Sequence, residues 1–403
     1  MNIKNNKQKG AVSLFVVVFA ALLITVVTVS FVRLMIQDQQ QATTTDLSQS
    51  AYDSAQAGVE DAKRALIRYQ SICDSGADCS DAYAKITSSN CNDAVKELSE
   101  VKDASSGSTE VKIQTGNTGN SLDQAYTCVK VILDTIDYLG KLTANESNFI
   151  PLTSVTAFDT VQIEWFSSDD IGSETKYAIL QPGGPTPMPL LAQNSWIDRP
   201  PILRAQFIQY SSENGFTLSS FDETTVDGKS NANTLFLYPS ASLLSDDKII
   251  TRTYKLTGID SRKTPTSAPL PGEPLPIECK KDLTHGGYSC TTKIELPTPI
   301  NGGDRVSFLR LSTIYNKANY RVTLLNSATA VKFSAVQPEI DSTGRANDLF
   351  RRVSTRVELT DANFPYPQAA VDTTGNLCKD FMVTDKVSDY EFYNSNNSNK
   401  CAP

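Results

Sequence analysis

Eight cysteines and one histidine carry most of the nucleophilic and soft-metal chemistry open to this 403-residue chain: Cys73, Cys79, Cys91, Cys128, Cys279, Cys290, Cys378, Cys401 and His285. All eight cysteines lie beyond an N-terminal apolar run, and an even number in an exported chain reads as disulfides. Eight cysteines allow 105 connectivities. Proximity along the chain favours 73–79, 91–128, 279–290 and 378–401, with the first two pairs free to exchange partners. Zinc is the alternative use. It lacks any C-x-x-C pair, and His285 sits in a Thr-His-Gly-Gly stretch that reads as a turn. Calcium has two candidate loops, one with Asp74, Asp78 and Asp81 and one with Asp169, Asp170 and Glu174. Ca²⁺ needs about 6–8 oxygen ligands; neither loop follows the EF-hand pattern, and a solvated acidic loop is the competing reading of each.

Catalytic motifs are absent from the sequence: no phosphate-binding G-x-x-x-x-G-K-[ST], no G-x-G-x-x-G, no G-x-S-x-G and no H-E-x-x-H. A Ser-His-Asp or Cys-His site would rest wholly on His285. A glycosidase-type carboxylate pair has 45 acids to draw on, and no spacing marks one out. The expectation is a chain that is not an enzyme and holds no cofactor, calcium being the one candidate. The formal net charge of −8 gives no basic footprint for nucleic acid.

The elements that would position these residues begin at the N-terminus. Lys4, Lys7 and Lys9 precede Gly10, and the apolar run of residues 11–32 is broken only by Ser13, Thr25, Thr28 and Ser30. A hydrocarbon core of about 30 Å needs about 20 such residues. Basic residues before the run predict a cytoplasmic leader and an outward C-terminal bulk. Arg33 suits the outer end of the span, where a long cation reaches the headgroups. A secretory signal peptide would have a shorter apolar region and a small-residue cleavage site after it. From residue 11 to 71 there is no proline, and the one glycine after Gly10 is Gly58. Leu47, Ala51, Ala55, Gly58, Ala62, Ala65, Leu66 and Tyr69 repeat at three/four spacing, which predicts one buried helix face. Glu60 and Arg64 are placed to pair on the exposed side.

Beyond residue 71 the texture changes. Residues 72–110 read as a polar, cysteine-containing insertion with a helical stretch near 92–101. Alternation then predicts strands at 111–114, 125–136, 154–166, 175–180, 202–210, 234–238, 292–296, 305–315, 320–325, 331–337 and 349–358. Two Pro/Gly-rich excursions, 181–190 and 264–303, interrupt them. The predicted fold class is α+β: a long N-terminal transmembrane helical spine packed on a large antiparallel β-rich, disulfide-stabilised domain. The expected divisions are 1–10 leader, 11–36 transmembrane helix, 37–71 amphipathic extension, 72–110 insertion and 111–403 globular domain.

Lys7-Gln8-Lys9-Gly10-Ala11-Val12-Ser13-Leu14 resembles the leader and cleavage site of type IV pilins and type II secretion pseudopilins. The segment from Ser50 to Ala62 looks like the A-Y-x-A-E-A-G-x-E-x-A signature of minor pilins of the PilX type, departing from it at Asp53-Ser54 and Gln56. Phe308-Leu309-Arg310-Leu311 and the stretch from Gly344 to Val353 look like the last strands of the same relatives; a glycine turn before a strand with exposed arginines is the plain reading of the latter. The resemblance implies cleavage by a prepilin peptidase between Gly10 and Ala11, methylation of the new N-terminus, and a net charge of −11 once the three leader lysines are lost. It also implies residence as a single span in the inner membrane, then assembly with other pilin subunits by the inner-membrane machinery into a cell-surface filament. A disulfide loop at 378–401 would match the terminal loop of that family.

One departure matters chemically. Phe15 stands where the family usually carries the glutamate that pairs with a neighbouring subunit's N-terminal amine. A buried carboxylate is costly unless paired, so that residue sets register, and its absence implies a tip or initiator subunit. The displayed domain would serve adhesion or pilus assembly through a cell-surface ligand. A membrane-anchored adhesin or binding protein outside any filament is the alternative, and a membrane-tethered hydrolase the least favoured.

Overall fold

A computed structural model describes residues 9–101, 109–113, 123–144, 146–171, 192–196, 199–211, 230–242, 248–256, 274–300 and 305–359. The expected strand at 175–180, the excursion at 181–190, Glu174, Cys378, Cys401 and the leader lysines Lys4 and Lys7 lie outside them.

The chain begins with α1 (Lys9–Asp74), 66 residues without a break. At about 1.5 Å per residue it extends on the order of 100 Å. Two short helices follow, α2 (Ser80–Ile86) and α3 (Asp93–Ser99). The insertion reading of 72–110 missed α2 and the tie of both helices to the spine. Ala82, Ile86, Val95 and Leu98 share one buried core with Val59, Ala62 and Leu66 of α1.

Fifteen strands complete the described fold, in two sheets. In chain order they are β1 (Val111–Lys112), β2 (Gln124–Ile132), β3 (Asp137–Leu142), β4 (Ser147–Pro151) and β5 (Phe158–Ser167). Next come β6 (Ile202–Ser211), β7 (Ser230–Ala241), β8 (Thr253–Lys255), β9 (Leu275–Cys279) and β10 (Tyr288–Ile300). The last are β11 (Arg305–Ile314), β12 (Ala318–Asn326), β13 (Thr329–Val331), β14 (Glu339–Ala346) and β15 (Leu349–Arg356).

The smaller sheet runs β1-β2-β14-β15, antiparallel throughout, and packs on α1. The larger runs β13-β12-β5-β10-β9-β7-β6-β11-β4, with β3 on β12 and β8 on β10. Alternate residues of its strands enter one core: Val161, Ile163 and Trp165 from β5, Leu203, Ala205 and Phe207 from β6, and Tyr320, Val322 and Leu324 from β12. The strand path brings its ends together, since Asn148 of β4 donates to the Tyr320 hydroxyl of β12 at 3.0 Å.

The α+β class holds, with two departures. The large sheet is not purely antiparallel: β7–β9 and β8–β10 run parallel. Both pairs are separated in sequence by long connections, which parallel neighbours require. Residues 275–300, read as part of an excursion with one strand at 292–296, contain β9 and the longer β10 in the middle of that sheet. Of the expected strand at 331–337 only Val331 is in a strand; after it, Phe333 N–H donates to Thr135 O and Ser334 N–H to Thr153 O.

Three disulfides lie among the described residues: Cys73–Cys79, Cys91–Cys128 and Cys279–Cys290. These are the pairings that proximity favoured, with no exchange between the first two, and they leave those six sulfurs unavailable to zinc. The second ties the segment before α3 to β2. The third joins β9 to β10 where Cys279 and Cys290 face each other across the ladder.

Candidate membrane and assembly helix

The two halves of α1 meet different surroundings. From Leu14 to Ile36 the large apolar side chains are exposed, Phe15 at 75%. Among the described residues this is the one helix long and apolar enough to cross a bilayer, which fits a single span or a signal anchor. Gly10 and Ala11 lie in its first helical turns, and Arg33 is exposed at the far end of the apolar run. Residues 38–46, polar except for Ala42, are exposed all round, and Thr43, Thr44 and Thr45 donate their hydroxyls back to the carbonyls of Gln39, Gln40 and Gln41.

The second half is buried along the face that the spacing predicted. Ala51, Ala55, Ala62, Ala65 and Leu66 are fully buried, while Leu47 and Tyr69 are half-buried; Ser54 and Val59 join the face. Small residues there let β14 approach the helix backbone. A Cβ on Gly344 of β14 would strike Ala51 O and Ala55 N. One on Gly58 would meet Ser342 Oγ at 2.5 Å and Val129 Cγ2 at 2.7 Å. Ser342 Oγ donates to Ala55 O at 2.7 Å, so the buried hydroxyl and helix carbonyl satisfy each other. The Tyr126 hydroxyl donates to Asp61 Oδ2 and Ser99 Oγ to Asp61 O, both at 2.7 Å. On the exposed side Arg64 pairs with Asp61 and Lys63 with Glu60, replacing the expected Glu60–Arg64 pair.

Gly344 is therefore no turn residue; it lies inside a strand, and the β14–β15 turn comes at Asn347, which has a φ of 49°. Its neighbour Arg345 points away from the helix. Its guanidinium forks onto both Glu110 oxygens (Nη2–Oε2 2.7 Å, Nε–Oε1 3.2 Å) and reaches Asp123 Oδ2 at 2.9 Å. These hydrogen bonds push the Arg345 pKa up and hold the Asp123 carboxyl below its ordinary value. Arg351 Nε donates to Ser48 Oγ at 2.8 Å, and Arg352 pairs with Asp341. The arginines of this stretch thus have partners, one of them on the spine.

Of the calcium candidates, Asp78, Asp81 and Asp170 are engaged in local contacts. Asp78 Oδ1 accepts the Ser80 N–H, and Asp81 pairs with Lys85. Asp170 accepts from Ser167 N–H and from the backbone and side chain of Asn319. Among the described residues no three His, Cys, Asp or Glu side chains gather as a metal site. His285 is exposed in a turn between β9 and β10.

Two features of the surface packed on and beside the spine escaped the sequence reading. Asn92 is fully buried with a φ of 67°, and it clamps β2: its N–H donates to Val129 O, and its Oδ1 accepts from Val129 N–H at 2.7 Å. β14 was missed because its buried positions are Ile340, Ser342, Gly344 and Ala346, an alternation with too little apolar surface to register. No family model, curated protein or solved structure matches this chain.

Proposed function

We propose that this protein is a minor subunit of a type IV pilus or pseudopilus, assembling through α1 and displaying its β-rich part for adhesion or filament assembly. The observation that carries the reading is one continuous helix with two kinds of face. Its exposed apolar half needs a lipid or protein partner, and its small-residue half is already committed to the subunit's own sheet. In this reading the exposed half lies first in the inner membrane and then among neighbouring helices in a filament core. A prepilin peptidase cuts after Gly10, and Phe15, which offers no carboxylate to a subunit above, favours the tip or initiator position. Gly10→Ala tests it: the uncut precursor should accumulate in the membrane and be absent from sheared surface filaments. An unchanged amount of the variant in filaments would contradict the reading.

Phe15 also supports a second reading, a single-pass anchored binding protein that enters no filament. Phe15→Glu separates the two. It should shift a tip subunit toward incorporation along the filament and leave a plain anchor unchanged.

A further inference from the structure

A groove of about 390 Å³ lies where the end of β2 meets the end of α2. Ligand sites usually span about 300–1,000 Å³. Its walls come from parts of the chain that are far apart in sequence. Tyr83 belongs to α2 and Ser89 to the segment after it; Lys130 and Ile132 belong to β2, Asp134 to the segment after it, and Lys332 follows β13. These walls are fixed to one another. The Cys91–Cys128 disulfide ties the segment after α2 to β2. Asp134 accepts the Tyr83 hydroxyl on Oδ2 at 3.1 Å and the Ala335 N–H on Oδ1 at 3.2 Å. The Asp134 charge pushes the Tyr83 pKa up, so the tyrosine stays a neutral donor.

The lining side chains are reachable from solvent. Tyr83 is 43% and Ile132 48% exposed, and Ser89, Lys130 and Lys332 are exposed as well. Their chemistry restricts the occupant. The lysines oppose a cation, Asp134 opposes an anion, and a wholly apolar molecule would strip water from all three charges without replacing it. A neutral molecule rich in hydroxyls suits both signs of charge. Each hydroxyl donates one hydrogen bond and accepts two, so it can give to Asp134 and take from a lysine. A pyranose ring carries such hydroxyls around its rim and C–H groups on its faces. Those faces pack on the tyrosine ring, whose π surface is electron-rich, and on the aliphatic side chain of Ile132.

We infer that this groove binds a neutral saccharide, with Tyr83 as the stacking platform, Asp134 as acceptor and Lys130 and Lys332 as donors. The inference stands on the groove alone and holds whether or not α1 enters a filament.

The test uses the full chain in a detergent without a sugar headgroup. Saturation-transfer NMR would be recorded with the methyl glycosides of glucose, galactose, mannose, N-acetylglucosamine and glucuronic acid. At least one of the four neutral glycosides should receive saturation, most strongly at the protons of one ring face. Tyr83→Ala should weaken its binding roughly tenfold, and Tyr83→Phe, which keeps the ring, by less. Lys332→Ala alters an exposed side chain outside the packed core and should weaken binding about threefold with folding unchanged. Raised salt should leave the affinity as it was, because a neutral ligand forms no ion pair to screen. Absence of transfer to all four neutral glycosides would overturn the inference, and so would binding undiminished in both Tyr83→Ala and Lys332→Ala. Binding of the glucuronide alone, lost in raised salt, would overturn it in favour of a plain anion site.

Discussion

The first half of α1 carries large apolar side chains and leaves them exposed, whereas the second half carries small ones and buries them. Burial and hydrophobicity thus run opposite to each other along one helix. Large residues suit contact with lipid tails or with other helices. Small residues allow close approach of a sheet, so that β14 lies against the helix backbone at Gly344 and a serine hydroxyl, Ser342, reaches a helix carbonyl. The second half is the foundation of the subunit, and the first half is the part left for a partner.

Substitutions should break that contrast in order of how little space each site leaves. Gly344→Val should have the largest effect, about 4 kcal/mol or more, because its Cβ meets helix backbone that cannot move without undocking α1. Denaturant unfolding of the detergent-solubilised protein would measure it. Gly58→Ala meets side chains instead, Ser342 Oγ and Val129 Cγ2, and should cost about 1–3 kcal/mol. Phe19→Ala with Leu22→Ala, in the exposed half, should change unfolding of the packed part by less than about 0.5 kcal/mol. The same pair should weaken retention in membranes, as sedimentation of vesicles would show. A large loss of stability from the exposed pair, or none from Gly344→Val, would dissolve the distinction between the halves.

The smallest effect concerns the edge of the packed region. The Asp123 carboxyl is held below its ordinary 3.8, first by the hydrogen bond from Arg345. A depressed folded-state pKa adds stability that is present above the unfolded value and is lost as pH falls through the folded value. Wild-type stability should therefore drop below about pH 3.8 by a modest amount, and Arg345→Met should flatten that drop. The Asp123 side chain is nearly half exposed, so solvent screening keeps the effect small.

Much of the spine was legible because its signals are periodic. The apolar run and the small residues from Ala51 to Leu66 repeat at helical spacing, and no proline interrupts them. Strands such as β5, β6 and β12 were legible because Val, Ile, Leu and aromatic residues alternate. The docking partner of the spine was not. In β14 a glycine, a serine and an alanine occupy buried positions, and close backbone approach leaves no hydrophobic signature. Glu339, Asp341 and Arg345 occupy its other face, and Gly344 read as a turn before the next strand. Asn92 was equally hidden, since a lone asparagine in a polar stretch does not reveal that it replaces a neighbouring strand. Proximity sufficed for Cys73–Cys79 and Cys279–Cys290 because the first closes a short loop and the second a hairpin, whereas Cys91–Cys128 spans 37 residues to join the segment before α3 to β2.

In the proposed function α1 serves first in lipid and then in a filament core, with cleavage between the two. The most direct measurement is the N-terminal residue and intact mass of the protein recovered from the producing cell's surface fraction. A chain starting at Ala11, carrying a methyl group on its amine, is the expected result. Recovery of a stable chain that still begins at Met1 would contradict the account and leave α1 as a simple anchor.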